Sequence, residues 1–380
     1  MSPALRIGMT GFGLIAVCYG FARFAFGLFL PEIDHDLDLG PALSGVISGG
    51  SFAGYCLAII ASSILTEKIG ARAVAMAAAI VAAVGMAGIA LAPTPVFLAA
   101  AVLLAGLSTG LASPPMAAAV ALAVRQEKQD VTNTMINAGT SAGLVMSGTA
   151  ALAMAGQWRL AFLAFTVVAA ALAAAAIFSL PRERAREKGR AVGWPPMTGS
   201  LLRLIAAAFL MGAASTALWS FGGQLVSQRL GWGPTGLGLL WICIGVGGMA
   251  GAWAGILVAR FGLDYVHRAF LAPMAATILV LGVAVPTPAL VLIAGLVFGA
   301  AYVMLTGLYL VWGVRALSDR PATGLMIGFL TIAIGQTAGA PLFGLLLDAF
   351  GAAPATMAFA ALALLAGLFQ DRGATLRAAA

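Results

Sequence analysis

Twelve long apolar stretches run through this 380-residue chain, and its Lys and Arg residues fall almost entirely in alternate gaps between them. A helix needs about 20 mainly apolar residues to cross the hydrocarbon layer of a bilayer. Stretches of that order lie near 7–30, 41–66, 72–92, 96–122, 131–155 and 160–180, then 201–226, 236–259, 268–285, 289–314, 322–347 and 354–370. Cytoplasmic segments of polytopic membrane proteins are enriched in Lys and Arg. With the N-terminus inside, those segments hold Arg6; Lys68 and Arg72; Arg125 and Lys128; Arg182, Arg184, Arg186, Lys188, Arg190 and Arg203; Arg260 and Arg268; Arg315 and Arg320; and Arg372 and Arg377. That is 17 of the 20 basic residues. Arg159 and Arg229 fall in outer gaps, and Arg23 lies inside the first stretch. The pattern predicts an all-α, polytopic inner-membrane protein of twelve transmembrane helices with both termini cytoplasmic.

Hydrophobic residues make up 62% of the chain and charged residues 9%, against about half and a quarter in soluble domains. Loop orientation accounts for the net charge of +7, so no nucleic-acid partner is expected. Residues 7–30 follow a basic Arg6, but they exceed a signal-peptide core and no small-residue cleavage site follows. They are expected to form the first helix. Cys18, Cys56 and Cys243 all fall within spans and are expected as free, buried thiols, without metal-ligand or disulfide spacing. Gly106-Leu107-Ser108-Thr109-Gly110 imitates a serine-hydrolase elbow, but Ser108 lies inside an apolar helix and the only histidines, His35 and His267, fall in loops on opposite sides. Gly245-Val246-Gly247-Gly248-Met249-Ala250 imitates a dinucleotide loop without the strand that would hold a pyrophosphate. No catalytic residue, metal, cofactor or nucleotide is expected.

The longest hydrophilic stretch, Pro181 to Ser200, is basic and carries Gly189, Gly193, Pro195 and Pro196. It reads as a cytoplasmic linker (181–200) between two six-helix bundles, 1–180 and 201–380, whose sequences still match. Gly40-Pro41-Ala42-Leu43-Ser44-Gly45 aligns with Gly233-Pro234-Thr235-Gly236-Leu237-Gly238, and Pro93-Thr94-Pro95 with Pro286-Thr287-Pro288, both displaced by 193 positions. Ile64-Leu65 and Gly70 match Ile256-Leu257 and Gly262 at 192 positions, and Gly139-Thr140-Ser141-Ala142-Gly143 matches Gly335-Gln336-Thr337-Ala338-Gly339 at 196. Their order and near-constant offset argue for an internal repeat.

A six-helix unit repeated in one orientation is the plan of major facilitator transporters, and the chain resembles that superfamily over essentially its whole length. Between its second and third helices the family carries Gly-x-Leu-x-Asp-Arg-x-Gly-x-Arg. Ser63-Ile64-Leu65-Thr66-Glu67-Lys68-Ile69-Gly70-Ala71-Arg72 is similar, with Glu67 for Asp and Ser63 for the first Gly. The second copy, Gly255 to Asp264, keeps Leu257, Arg260 and Gly262 but has Ala259 at the acidic position. Trp158-Arg159 resembles the pair that opens the family's sixth helix. Tyr19-Gly20-Phe21-Ala22-Arg23-Phe24-Ala25-Phe26, ending at Leu30-Pro31, is similar to a bacterial subfamily labelled YbfB/YjiJ, as is Gly54-Tyr55. Two departures argue against drug–proton antiport. Val102 replaces the Arg that many exporters place four residues before a helix-4 Gly, and Gly143 is followed by Leu144 rather than Pro.

The resemblance implies an alternating-access carrier in a bacterial inner membrane, with a cavity between the halves lined in part by the first helix. It also implies a cytoplasmic gate at Glu67, Lys68, Gly70 and Arg72, echoed by Arg260 and Gly262. Glu67 would meet helix ends and basic residues of the other half, while Lys68 and Arg72 fix the loop. Ordinary solvated loop charge is the plainer alternative.

Arg23 is the one ionisable residue well inside a predicted span, about 11 Å below Pro31 at 1.5 Å per residue. A charge there costs at least about 2.5–3.5 kcal/mol on insertion scales. Its planar fork suits a carboxylate; a structural bond to neighbouring helices is the alternative. No Asp or Glu falls well inside a span, which argues for an anionic, zwitterionic or neutral substrate. It also leaves Glu32, Asp34 and His35, beside the outer end of the first helix, as the nearest groups for proton coupling. The same acids, with Asp36 and Asp38, also read as a solvated outer loop. Further cavity candidates are Tyr19, Tyr55, Asn133, Asn137, Trp219, Gln224, Tyr302, Thr306, Tyr309 and Gln336. Tyr302, Thr306 and Tyr309 share one helical face, although interhelical hydrogen bonding explains each as well. The expected function is secondary transport, with export favoured, of a small organic anion or amphipathic metabolite. Protons are the candidate coupling ion and a monomer in the lipid bilayer is expected. Facilitated diffusion or exchange of a neutral or zwitterionic solute, and a transporter-derived sensor, are the alternatives.

Overall fold

The computed structural model describes residues 2–154, 156–181, 196–282 and 287–371. Most of the basic linker (182–195), the tail with Arg372 and Arg377, and Pro286 of the second Pro-Thr-Pro lie outside them. Twelve helical rods follow one another, with no strand among the described residues. The first six are α1 (Pro3–Leu37), α2 (Gly40–Ile69), α3 (Ala71–Ala90), α4 (Pro95–Ala123), α5 (Gln126–Met154) and α6 (Trp158–Ser179). The last six are α7 (Gly199–Trp219, resuming as Gly222–Leu230), α8 (Pro234–Phe261), α9 (Leu263–Gly282), α10 (Pro288–Ala316), α11 (Pro321–Phe350) and α12 (Ala352–Ala366). Ten of these are long and apolar enough to cross a membrane. The others are α5, diluted by its Gln126-Glu127-Lys128-Gln129-Asp130 start, and α12, whose 15 residues span about 22 Å. Leu57, Val96, Phe178 and Ile256 point outward, an apolar exterior of the kind that marks a membrane surface.

Local chemistry sets the helix ends. In both copies of Pro-Thr-Pro the Thr hydroxyl caps a helix: Thr94 accepts from the Phe97 N–H and Thr287 from the Leu290 N–H, both at 3.3 Å. The following Pro occupies the first turn, where a missing N–H costs nothing. Gly70 and Gly262 join α2 to α3 and α8 to α9 with φ of +90° and +84°, a backbone that side chains with a Cβ avoid.

The two cations expected in outer gaps have structural partners. Arg159 Nη1 donates to the Ala90 and Ala92 carbonyls at the end of α3, each at 3.0 Å, and Arg229 Nη2 to the Gly282 carbonyl ending α9 at 3.1 Å. Helix-terminal carbonyls lack intrahelical donors, so such capping relieves them.

Repeated residues make repeated contacts. Gly139 of α5 abuts the backbone of Phe12 and Ala16 on α1; Gly335 of α11 abuts Phe209 and Ala213 on α7. Gly45 faces the Ala340 carbonyl and Gly344 faces that of Pro41, while Gly238 and Gly148 face each other's carbonyls. These α2–α11 and α5–α8 junctions join the first six helices to the last six. Gly27 of α1 likewise faces the Trp219 carbonyl of α7. All lie toward the end of the bundle that carries Pro31, opposite the end that carries Leu180.

Two sequence expectations are corrected here. His267 is not a loop residue: it sits within α9 at 1% exposure, because the helix begins at Leu263 and the ring finds buried partners. All three cysteines are free, but only Cys18 is buried; Cys56 and Cys243 are half-buried. Gly344→Val puts side-chain atoms against the Pro41 carbonyl and should lower the thermal unfolding midpoint by the equivalent of about 1–3 kcal/mol. Gly255→Ala, where a Cβ meets nothing within 4 Å, should leave the midpoint unchanged or raise it. Equal midpoints for the two variants would contradict the close α2–α11 approach.

Candidate functional site

The middle of α1, Ala16–Phe24, is wound as a π-helix, and the Ala25 N–H bonds back to the Gly20 carbonyl. Such segments interrupt α-helices frequently at functional sites. Gly20 lies against Gly143 of α5, and Arg23 is 7% exposed. Four rings face its guanidinium, with Cζ-to-centroid distances of 4.7 Å to Phe52, 4.7 Å to Tyr55, 5.1 Å to Phe24 and 5.8 Å to Tyr19. Ring faces attract cations at these separations. Its hydrogen-bond partner is Gln336 of α11: Arg23 Nη2 donates to Gln336 Oε1 at 2.5 Å. Gln336 Nε2 in turn donates to Ser215 Oγ of α7 at 3.2 Å and to Tyr302 Oη of α10 at 3.1 Å.

Trp219 closes one side of the cluster. Its ring stacks on Phe24 with centroids 4.1 Å apart and meets the edge of Tyr302 at 5.1 Å. Tyr19 meets Tyr55 edge-on at 6.4 Å and pairs its hydroxyl with Ser113 Oγ of α4 at 3.0 Å. Two buried donors here have no partner, Arg23 Nε and Trp219 Nε1. Among the described residues no carboxylate lies within 4.0 Å of Arg23. The cluster is cationic, ringed by aromatics and short of acceptors.

Of the cavity candidates, the structure thus gathers Arg23, Tyr19, Tyr55, Trp219, Tyr302 and Gln336. Tyr309 lies elsewhere, buried in the last six helices, where its hydroxyl bonds His267 Nε2 at 2.8 Å and the Ala207 carbonyl at 3.3 Å. Thr306 bonds its own helix at the Tyr302 carbonyl. Gln224 sits toward the Pro31 end, donating to Asp34 Oδ2 at 3.2 Å. Asn133 is half-buried and Asn137 exposed on α5, and neither joins the cluster's hydrogen bonds. Phe52, Ser113 and Ser215 belong to the cluster yet carry no sequence signal, since nothing in an apolar run distinguishes an inward Phe or Ser.

Glu32, Asp34 and Asp36 at the Pro31 end are helical, because α1 continues to Leu37. Asp34 accepts from the Leu39 and Gly40 N–H groups at 3.0 and 2.8 Å, and Asp36 from Trp158 Nε1 at 2.8 Å. Asp34 and Asp36 are therefore not merely solvated, whereas Asp38 is exposed beyond the helix end, as a solvated loop residue would be. Glu32 and His35 line a cavity of about 400 Å³ with Asp36, Trp158 and Trp232, and one Glu32 carboxylate oxygen is buried without a partner.

At the Leu180 end, Glu67 and Lys68 are exposed on the last turn of α2. Arg72 Nε donates to the Leu180 carbonyl at 2.8 Å, and Nη2 to the same atom. Its counterpart by contact is Arg268, whose Nε donates to the Gly367 carbonyl beyond α12 at 3.2 Å. Arg260 stacks on Phe261 instead, with 5.2 Å from Cζ to the centroid.

Two sets of six membrane helices meeting around a buried polar cluster define a carrier of the alternating-access type. The sequence matches the family model of the Major Facilitator Superfamily over residues 12–333, and the chain belongs to that family. It is a multi-pass membrane transporter. No curated protein matches its sequence at a significant level. Among solved structures, it is similar to a variant of the nucleoside transporter NupG, with 13% identity, 97% of this chain and 98% of that one covered, and a TM-score of 0.81. It is also similar to a bacterial homologue of the human lysosomal transporter Spinster in an inward-facing, unoccupied conformation (14%, 97% and 96%, 0.80). A D-xylose–proton symporter gives 16%, 97% and 97%, and 0.75. At these identities the likeness is one of fold.

Tyr309→Phe removes the hydroxyl shared by His267 and Ala207 and should destabilise the protein by about 1–3 kcal/mol. Transport per folded molecule should be unchanged. A selective loss of transport at an unchanged unfolding midpoint would give Tyr309 a role in transport that its position away from the Arg23 cluster does not suggest.

Proposed function

We propose that the chain is a secondary transporter for a small organic anion, bound at Arg23 and flanked by Tyr19, Tyr55, Trp219 and Tyr302. The observation that carries this reading is a buried guanidinium whose partners are all neutral. A buried donor left unpaired costs about 1–3 kcal/mol, and both orphans at the cluster, Arg23 Nε and Trp219 Nε1, are donors. A carboxylate supplies the missing charge and the missing acceptors together. The surrounding rings favour a ligand with an apolar or aromatic body, such as an amphipathic metabolite.

The Leu180 end faces the cytoplasm of a bacterial inner membrane in this proposal, as the distribution of Lys and Arg requires. Residues 1–180 and 201–380 then rock against each other, and the junctions at Gly27, Gly45, Gly148 and Gly344 close the outer side. Export is the proposed direction. For proton coupling, Glu32 is the group that the geometry favours, with its unpartnered oxygen in the cavity at the outer ends of the two sets of helices.

A thermal-shift screen of purified protein against carboxylates, sugars, amino acids and permanently cationic dyes tests the substrate class. Carboxylates should stabilise the protein, and Arg23→Ala should weaken that binding about 30-fold or more while the protein stays folded, as expected for loss of a buried charge partner. Strong stabilisation by cationic dyes, unaltered by Arg23→Ala, would overturn the assignment.

A further inference from the structure

Gln336 is 0% exposed, and its whole amide is engaged. Its NH₂ group offers two donors and meets two hydroxyls, Ser215 Oγ at 3.2 Å and Tyr302 Oη at 3.1 Å. A guanidinium only donates, so the amide oxygen must be the atom that faces Arg23, at 2.5 Å. Arg23 therefore sets which way this amide is turned, and two hydroxyls on other helices hold its NH₂ group in place. The result is a carbonyl oxygen held at the edge of a buried cation, where a substrate carboxylate oxygen would sit.

The fit is incomplete in an informative way. A carboxylate can satisfy two edges of a guanidinium at once, whereas one amide oxygen meets Nη2 and leaves Nε unpartnered. The bond also joins α1 to α11, which belong to different sets of six helices. If an anion takes the place of Gln336 Oε1, the amide keeps Ser215 and Tyr302, and only the bond that crosses between the sets is broken.

Resting on the anion-transport reading, we infer that Gln336 is an internal counter-ligand, exchanged for the substrate carboxylate during the cycle. It partners one edge of Arg23 when the site is empty, and its displacement frees the two sets of helices from each other at this point. Substrate then interacts differently with conformations that have and lack this bond, which is the condition for a ligand to shift their balance. Gln336 acts through Arg23 and is a positioning residue.

Benzoate, a carboxylate with an aromatic body, is the probe, and its affinity is read by calorimetry on the purified full-length transporter. Removing the competitor in Gln336→Ala should tighten benzoate binding about ten- to a hundredfold, the weight of one hydrogen bond to a charged group. Gln336→Met keeps the bulk without the amide and carries the same expectation should the Ala variant fail to fold. Gln336→Glu places a permanent carboxylate at Arg23; benzoate affinity should fall about a hundredfold or more while the unfolding midpoint rises. A residue that merely ties helices together would give equal or weaker affinity on truncation. That result, with wild-type protein binding benzoate, would overturn the counter-ligand role and leave the anion site standing. Benzoate binding to neither wild-type nor truncated protein would overturn both.

Discussion

A permanent positive charge inside an apolar bundle constrains everything around it. Arg does not deprotonate in proteins, so Arg23 cannot escape the cost of burial by becoming neutral, as a Lys can. Its four aromatic neighbours each contribute about 0.5–2 kcal/mol, and Gln336 supplies one charge-assisted hydrogen bond. Neither carries a compensating charge. A bundle built only for stability would place a carboxylate beside this cation or replace both by apolar groups, which is often neutral or stabilising. Retaining an uncompensated cation is physically reasonable where a soluble anion visits the site, and that is the basis of the proposed link from a local electrostatic imbalance to transport.

The scaffold that holds this charge is symmetric, and the chemistry is not. Gly139 and Gly335 make equivalent contacts, and so do Gly45 with Gly238 and Gly148 with Gly344. Those contacts pair Ala16 with Ala213, and seven residues further on the position matching Arg23 is Ser220. The position matching Gln336 in the aligned Gly-x-x-x-Gly motifs is Thr140. Close helix approach demands small residues wherever backbones meet, so the repeat survives at the glycines. Binding demands groups that differ across the interface, so the repeat is broken at the site. Arg72 and Arg268 belong with the scaffold: each ties the start of the third helix of its set to the chain just beyond the sixth.

Most of the architecture was legible because hydrocarbon thickness and loop charge act on the chain segment by segment. The helix order, the repeated Pro-Thr-Pro caps and the exceptional Arg23 all appear in one dimension. What escaped depends on partners distant in sequence. Tyr302 and Tyr309 do share a face of α10, yet about 10 Å along a helix changes the neighbour, from Gln336 on α11 to His267 on α9. Gln224 is carried away from the cluster by the break in α7 after Trp219. Asp34 and Asp36 resemble a solvated loop because acids usually end a membrane span, but N–H groups of the next helix and the Trp158 indole engage them. Arg268 gives no signal because its motif copy is offset by four residues from the position that Arg72 would suggest.

The nature of the contacts between the two sets of helices also bears on how they can separate. At the glycine junctions a backbone carbonyl of one helix lies against a position without a side chain on the other. These are packing contacts between helices whose own backbone hydrogen bonds remain intact, so parting them leaves no buried polar group newly unsatisfied. Two bonds across the interface that hold a charged group are different: Arg23–Gln336 and Gln224–Asp34 leave a charge or an amide exposed to an apolar gap when broken. Movement is therefore cheap along the glycine seams and gated at the polar bridges. Of the two bridges, Gln224–Asp34 lies near the Pro31 end, where water can replace either partner. Arg23–Gln336 is buried, so in the proposed cycle an anionic substrate that enters the bundle takes the place of the amide. That exchange is what couples opening to substrate in the proposal, because the glycine seams offer no comparable polar bond to replace.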